Sequence, residues 1–175
     1  DAAALYADPE DRRMMRAASE VEAEYYGEIN RIQEIILFSQ KMGYKKLGIA
    51  FCAALSEEAA KLSQILENYF EISTVNCKVC GVEKSEMGAM ESDKVGPISC
   101  NPIEQAEVLN AANTDLNLLL GLCVGHDALF IKYSQAPVVP VAAKDRVIAH
   151  NPLGALYCSA IFKRMMKEAK NQETK

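Results

Sequence analysis

Apolar residues along this chain alternate between helix-like spacing and short continuous runs. Near the start they recur every three or four residues, the period of one helix face, at Ala18, Val21, Tyr25, Ile29, Ile32 and Ile36. Asp8-Pro9-Glu10 is typical of a helix start, with an N-cap aspartate, a proline at N1 and an early acid. The pattern predicts one long helix weakened at Gly27, or two helices broken there, ending near Gly43.

Four short apolar runs follow, and they predict strands that are buried on both faces. The predicted strands span 46–52, 70–79, 116–123 and 137–142. Helical patterns separate them, from Ser56 to about Tyr69, from Asn101 to about Ala112 and over 125–133, and a last helix begins at Asn151-Pro152. Alternating strands and helices predict an α/β, Rossmann-like three-layer sandwich with a mainly parallel sheet of four to five strands, in the order 2-1-3-4.

The length of 175 residues predicts one domain. Its parts would be a helical N-terminal segment at 1–43, an α/β core at 44–166 and a frayed, lysine-rich tail at 167–175. The polar connection at 81–99 is long for a compact domain, which favours a functional lid or disorder.

Charge and composition exclude several kinds of partner. The net charge is −5, which argues against nucleic acid and anionic membrane surfaces. No apolar run reaches the roughly 18 residues of a membrane span, and the polar start is unlike a signal peptide. We therefore expect a cytoplasmic protein. In that compartment six cysteines favour metal binding or thiol chemistry over structural disulfides.

Most of the cysteines fall where the predicted strands end. Sites in open parallel sheets form beyond the carboxyl ends of the strands. The thiols predicted to share that edge are Cys52, Cys77, Cys80, Cys100 and Cys123, with His126 close by. Cys158 falls within the last predicted helix, beside its apolar face, and is expected in the core.

Thiolates at this edge predict a site for a soft metal, either zinc or an iron–sulfur cluster. Cys77 and Cys80 have the Cys-x-x-Cys spacing that lets two sulfurs reach one ion, although the pair would also suit a redox disulfide. Cys100 could equally be a small residue at a helix start. Cys52 and Cys123 could be ordinary buried strand residues. A second Cys-x-x-Cys is absent, so the ligands would come from separate loops.

A second group of polar residues follows the fourth predicted strand. Lys144 and Arg146, beside the helix start at Asn151, would bind a small anionic ligand. Alternatively, Arg146 would form a structural ion pair with Asp145 or Asp127. His150 would be an acid or base, or would simply cap the turn before Asn151.

Several of these pieces together resemble a known family. They are Gly-Ile-Ala-Phe-Cys (48–52), Cys-Lys-Val-Cys-Gly (77–81), Cys-Asn-Pro (100–102), Gly-Leu-Cys-Val-Gly-His-Asp-Ala-Leu-Phe (121–130) and Lys-Asp-Arg-Val-Ile-Ala-His-Asn-Pro (144–152). The chain resembles uncharacterised cysteine-rich metal-binding proteins of anaerobic bacteria and archaea, which carry a domain of unknown function. The resemblance implies metal binding through cysteines, with further cysteines near the N-terminus. None precedes Cys52 here, and we expect that an upstream segment is missing.

Three hypotheses about function follow from the sequence. The first is a metal-binding protein that uses Cys77, Cys80, Cys100 and Cys123, with Cys52 as an alternate ligand. The second is a thiol- or metal-dependent enzyme acting on a small anionic substrate, with Cys123 or Cys52 as nucleophile and His126 or His150 as acid or base. The third is a structural or regulatory module that forms a homodimer through its N-terminal helix.

Overall fold

The computed structural model describes residues 2–172, with side chains as far as residue 169. The strands are β1 (Lys46–Phe51), β2 (Glu71–Asn76), β3 (Leu116–Leu120) and β4 (Val138–Ala142). The helices are α1 (Pro9–Tyr25), α2 (Arg31–Lys41), α3 (Ser56–Leu66), α4 (Pro102–Ala111), α5 (His126–Tyr133), α6 (Gly154–Tyr157) and α7 (Ser159–Gln172). Short 3-10 turns occupy Ala2–Tyr6, Ala53–Leu55 and Ser85–Met87.

The sheet confirms the predicted fold class and strand order. Its order is β2-β1-β3-β4, and every neighbouring pair is parallel. In the central strand β3 every residue is buried, as expected of a parallel strand covered on both faces. Gly48 in β1 packs so closely that a Cβ there would lie 2.1 Å from Asn117 Oδ1.

Neighbouring residues of each strand point into different halves of the core. Ile49 and Leu118 pack with α2 and α3 on one face of the sheet. Ala50 and Leu119 pack on the other face, against α4 and α5, where Phe130 of α5 is fully buried. Helices therefore cover both faces of the sheet, which gives the predicted three-layer sandwich.

The N-terminal helical pattern forms two helices, the second of the two predicted arrangements. The break falls at Gly27, whose φ of +74° lies in the left-handed region that favours glycine. Asn30 then caps α2 by accepting from the backbone N–H of Ile32 and Gln33. Arg31 fastens α2 to the edge strand β4 with a 2.6 Å hydrogen bond from Nε to the carbonyl of Pro140.

Several predicted boundaries were too long, because turns end the elements early. β2 stops at Asn76 instead of residue 79. β3 stops at Leu120 instead of residue 123, before Gly121, which has a φ of +62°. The helix predicted to run from Ser56 to about Tyr69 ends at Leu66.

The C-terminal prediction was wrong in two respects. One helix was expected from Asn151 onward, but extended backbone at Cys158 (φ −80°, ψ 103°) separates α6 from α7. Cys158 was expected in the core, but it is exposed, since α6 and α7 lie outside the sandwich. Of the predicted tail at 167–175, residues 173–175 lie outside the described residues. No helix within residues 2–172 combines the length and apolar character needed to cross a membrane.

Candidate functional site

The register of the sheet brings the first two thiols together. Phe51 of β1 pairs with Asn76 of β2, so the next residues, Cys52 and Cys77, leave the sheet side by side. The hydrogen-bond ladder continues past the strands, because Cys77 N–H donates to the carbonyl of Phe51 at 3.0 Å. Both side chains are buried. Two neighbouring parallel strands thus each end in a buried thiol at the carboxyl edge.

The start of α4 adds a third thiol. Asn101 caps the helix by accepting from Glu104 N–H, and its own N–H donates to the carbonyl of Cys77 at 2.9 Å. This backbone contact fixes the preceding residue, Cys100, beside Cys77. Their Sγ atoms are 3.6 Å apart, within hydrogen-bond distance.

The loop after β3 brings a fourth thiol, Cys123, to this edge. Arg146, from the loop after β4, donates from Nη2 to Cys123 Sγ at 3.0 Å. From the sequence, Arg146 was predicted either to bind an anionic ligand or to form an ion pair with an aspartate. Among the described residues its hydrogen bond goes to Cys123, and this hydrogen bond raises the pKa of Arg146.

The thiols change one another's acidity. A hydrogen bond from Cys77 lowers the pKa of Cys100 to about 6, opposed by burial and assisted by the charge of Lys78. The same contact with Cys100, together with burial, raises the pKa of the Cys77 thiol above its usual range. Cys100 is therefore the thiolate of the pair and Cys77 the proton donor. Cys123 and Cys52 also lie near enough to Cys100 to raise its pKa, against the larger lowering by Cys77.

Two further groups hold the buried sulfur in place. The backbone N–H of Ala53 donates to Cys77 Sγ at 3.3 Å, from the 3-10 turn that follows Cys52. Gln105 of α4 is fully buried, and its Nε2 donates to the carbonyls of Phe51 (3.3 Å) and Val75 (3.0 Å). Those carbonyls lie at the ends of β1 and β2, just before the two thiols. The sequence analysis did not identify Gln105. A glutamine on the buried face of a helix that starts at this edge could have indicated a residue that hydrogen-bonds to the strand ends.

The other predicted residues lie around this cluster with different contacts. Cys80 is exposed, in a turn where its φ is +41°. His126 is half-buried at the start of α5, and burial lowers its pKa. The Nδ1 atom of His150 accepts from Asp145 N–H, which is the turn-capping role that was one alternative. Lys144 is half-buried and Asn151 is exposed, and neither side chain has a hydrogen bond to the thiols.

The structure does not by itself display a formed metal site. Within residues 2–172, no group of three or more His, Cys, Asp or Glu side chains is close enough to hold an ion. Cys77 and Cys100 are at the separation of two ligands of one ion. A tetrahedral ion with sulfur at about 2.3 Å separates its sulfurs by about 3.8 Å, and the observed separation is 3.6 Å.

The acidity of Cys100 gives a direct prediction for the metal-free protein. Because the thiolate is the reactive form, alkylation of Cys100 should slow as the pH falls through about 6. Cys77→Ala removes the main hydrogen-bond donor, so the midpoint should move upward toward that of an ordinary thiol. Peptide mass spectrometry after timed iodoacetamide labelling measures this, with Cys158→Ser as the control. An unchanged midpoint in Cys77→Ala would contradict the assigned pairing.

Comparison with known proteins places the chain in a family without assigning an activity. Residues 1–141 match the family described as "Protein of unknown function (DUF1847)". An uncharacterized protein of Methanocaldococcus jannaschii is 44% identical over 163 residues, which cover 93% of this chain and 84% of that protein. No solved structure matches the chain.

Proposed function

The chain belongs to this family of unknown function, so its role has to be inferred from the residues of the site. We propose that it binds one soft metal ion through thiolates at the carboxyl edge of the sheet. The proposed ligands are Cys52, Cys77, Cys100 and Cys123. The observation that carries the proposal is the 3.6 Å approach of Cys77 and Cys100, which arrive from different loops. This separation suits a single tetrahedral ion such as zinc.

In this ligand set Cys52, the alternate ligand of the sequence analysis, replaces Cys80. Cys52 leaves β1 directly beside Cys77, and it is buried where Cys80 is exposed. Cys52 also lies close enough to lower the pKa of Cys77, against the larger effects of Cys100 and burial. Binding an ion would draw Cys52 and Cys123 inward, because each would then bond to the same cation as Cys77 and Cys100.

The chemistry of the donors also explains how binding would begin. Metal binding displaces protons from thiols, so a site that already holds one thiolate is prepared for the ion. Cys100 is that thiolate. Arg146 would then offset the negative charge of the four-sulfur complex through its contact with Cys123. The same four thiolates would also suit an iron–sulfur cluster, and metal and sulfide analysis distinguishes the two cofactors.

Cobalt titration tests the proposal. We expect protein purified without oxygen to retain one ion per chain after desalting. The chelator-stripped chain should take up one Co²⁺ with a sulfur-to-cobalt charge-transfer band and the d–d bands of tetrahedral geometry. Iron with inorganic sulfide would replace the single ion by a cluster. A chain that retains no ion and gives no charge-transfer band would overturn metal binding.

The contact between Arg146 and Cys123 favours a second candidate, a thiol enzyme acting on a small anionic substrate. Arg146 would stabilise the Cys123 thiolate as nucleophile, and half-buried His126 would serve as acid or base. The titration separates the two candidates when it is combined with labelling. A chain that holds no ion, and in which Cys123 is alkylated faster than the other five thiols, would be the thiol enzyme.

A further inference from the structure

Cys77 and Cys100 are free thiols whose sulfur atoms are already in contact. Their Sγ atoms are 3.6 Å apart, although the two residues come from different loops. The sulfurs of a disulfide are about 2.05 Å apart, so these two atoms would have to approach each other by about 1.5 Å. Rotation of the two side chains supplies a movement of this size when the backbones are close enough.

The backbone holds the two residues at the separation that a disulfide needs. Asn101, which follows Cys100, donates its N–H to the carbonyl of Cys77 at 2.9 Å. Ser99, which precedes Cys100, donates to the carbonyl of Val82 from its N–H at 2.9 Å and from its hydroxyl at 2.8 Å. Disulfides require Cα atoms within about 7 Å of each other. Backbone hydrogen bonds of the same kind hold neighbouring strands about 4.8 Å apart, so the two chain segments meet this requirement.

The two thiols differ in their access to solvent. Cys100 is partly exposed, whereas Cys77 is only 3% exposed and lies in the core. A dissolved oxidant therefore reaches Cys100 first, and Cys77 is placed to react with the oxidised sulfur. An accessible thiol with a second thiol in contact is the arrangement of reversible redox pairs. Cys80, the partner suggested by the Cys-x-x-Cys spacing, has an exposed side chain instead.

We propose that Cys77 and Cys100 form a reversible disulfide when the chain meets hydrogen peroxide. The Cys100 thiolate attacks one peroxide oxygen, which breaks the O–O bond, forms a sulfenic acid and releases hydroxide. The Cys77 thiolate then attacks the Cys100 sulfur, forms the S–S bond and displaces a second hydroxide. The two thiols lose two electrons and two protons, and the peroxide takes up both and leaves as two molecules of water. A dithiol reverses the reaction by thiol–disulfide exchange.

The effect of this disulfide on the metal rests on the function proposed above. Cys77 and Cys100 are two of the four proposed ligands, and the thiolate is the form of cysteine that binds a metal. Oxidation would leave Cys52 and Cys123 as the remaining thiolates, so the ion would be released. The site would thus hold its ion under reducing conditions and lose it on exposure to peroxide.

Peptide mapping of the full chain tests the pairing. Chelator-stripped protein, prepared without oxygen, is treated with one equivalent of hydrogen peroxide, alkylated, and digested without reduction for mass spectrometry. We expect a peptide pair cross-linked through Cys77 and Cys100 that dithiothreitol separates. Cys100→Ala should lower the oxidation of Cys77 at least about tenfold, because the buried thiol loses its accessible partner. Cys80→Ser and Cys158→Ser are the controls and should leave the cross-link unchanged.

Zinc release is measured on zinc-loaded protein, with a chromogenic chelator that does not remove zinc from the untreated chain. One zinc ion should appear for each disulfide formed, and dithiothreitol should restore binding. No cross-link, or a disulfide of Cys77 with Cys80 or Cys52, would overturn the pairing. A loaded chain that forms the disulfide and keeps its zinc would overturn the release. A chain that binds no zinc would contradict the proposed metal site, and the map of the stripped protein would still decide the disulfide.

Discussion

Serine at Cys77 or Cys100 is expected to weaken Co²⁺ binding by roughly 100-fold. Thiolate zinc sites are worth about 10–16 kcal/mol. The loss of one of four ligands is therefore worth about 3 kcal/mol, or roughly 100-fold. Competition titrations against a chelator of known affinity measure the change. Cys100→Ser should be the more severe of the two, because it removes the group that is already a thiolate.

Serine substitutions at the other four cysteines would show which of them are metal ligands. Cys52→Ser and Cys123→Ser should also weaken binding and should shift the charge-transfer band, since each removes one sulfur. Cys80→Ser and Cys158→Ser are the matched controls, because both side chains are exposed. If Cys80→Ser were as damaging as Cys77→Ser, the ligand set would be the Cys-x-x-Cys pair of the sequence, and Cys52 would be excluded.

The layered fold could be predicted from sequence because its signals are local. Continuous apolar runs marked the strands. Helices were predicted to begin at Asp8 and Asn101, and both side chains accept backbone hydrogen bonds there as N-caps. Right-handed crossovers then restricted the strand order. Because sites in parallel sheets form beyond the carboxyl ends of the strands, the sequence also predicted that Cys52, Cys77 and Cys100 lie close together.

The details of the site depended on information that local patterns do not contain. The spacing of Cys77 and Cys80 suggested a pair, but the turn at Cys80 leaves its side chain exposed, and the near neighbour of Cys77 is Cys100, 23 residues away. The partner of Arg146 could not be inferred, because it depends on how two separate loops fold over the edge. The apolar spacing at the C-terminus continues across Cys158, so it did not indicate the break between α6 and α7. Spacing shows which residues share a helix face, but it does not show whether that face is buried against a core.

Gln105 is the residue outside the thiols whose replacement should have the largest effect. Gln105→Ala removes two hydrogen bonds to the carbonyls of Phe51 and Val75 and opens a cavity in the core. Buried large-to-small changes and lost hydrogen bonds together predict a loss of about 2–3 kcal/mol in the free energy of unfolding. For a domain of this size that lowers Tm by about 5–10 °C. Denaturant titration measures the loss, and Gln64→Ala, on the exposed side of α3, should change stability by less than about 0.5 kcal/mol.

A methionine at the same position separates packing from positioning. Gln105→Met keeps most of the side-chain volume and removes the buried Oε1 atom, which has no hydrogen-bond partner among the described residues. Its stability should stay within about 1.5 kcal/mol of the wild type. It still removes the donors that hold the ends of β1 and β2 together, so Co²⁺ affinity should fall by about 10-fold or more, as for other groups that orient metal ligands. If Gln105→Met bound Co²⁺ like the wild type, Gln105 would be a core residue alone, and the positions of Cys52 and Cys77 would be set by the strands and by the contact between Ala53 and Cys77.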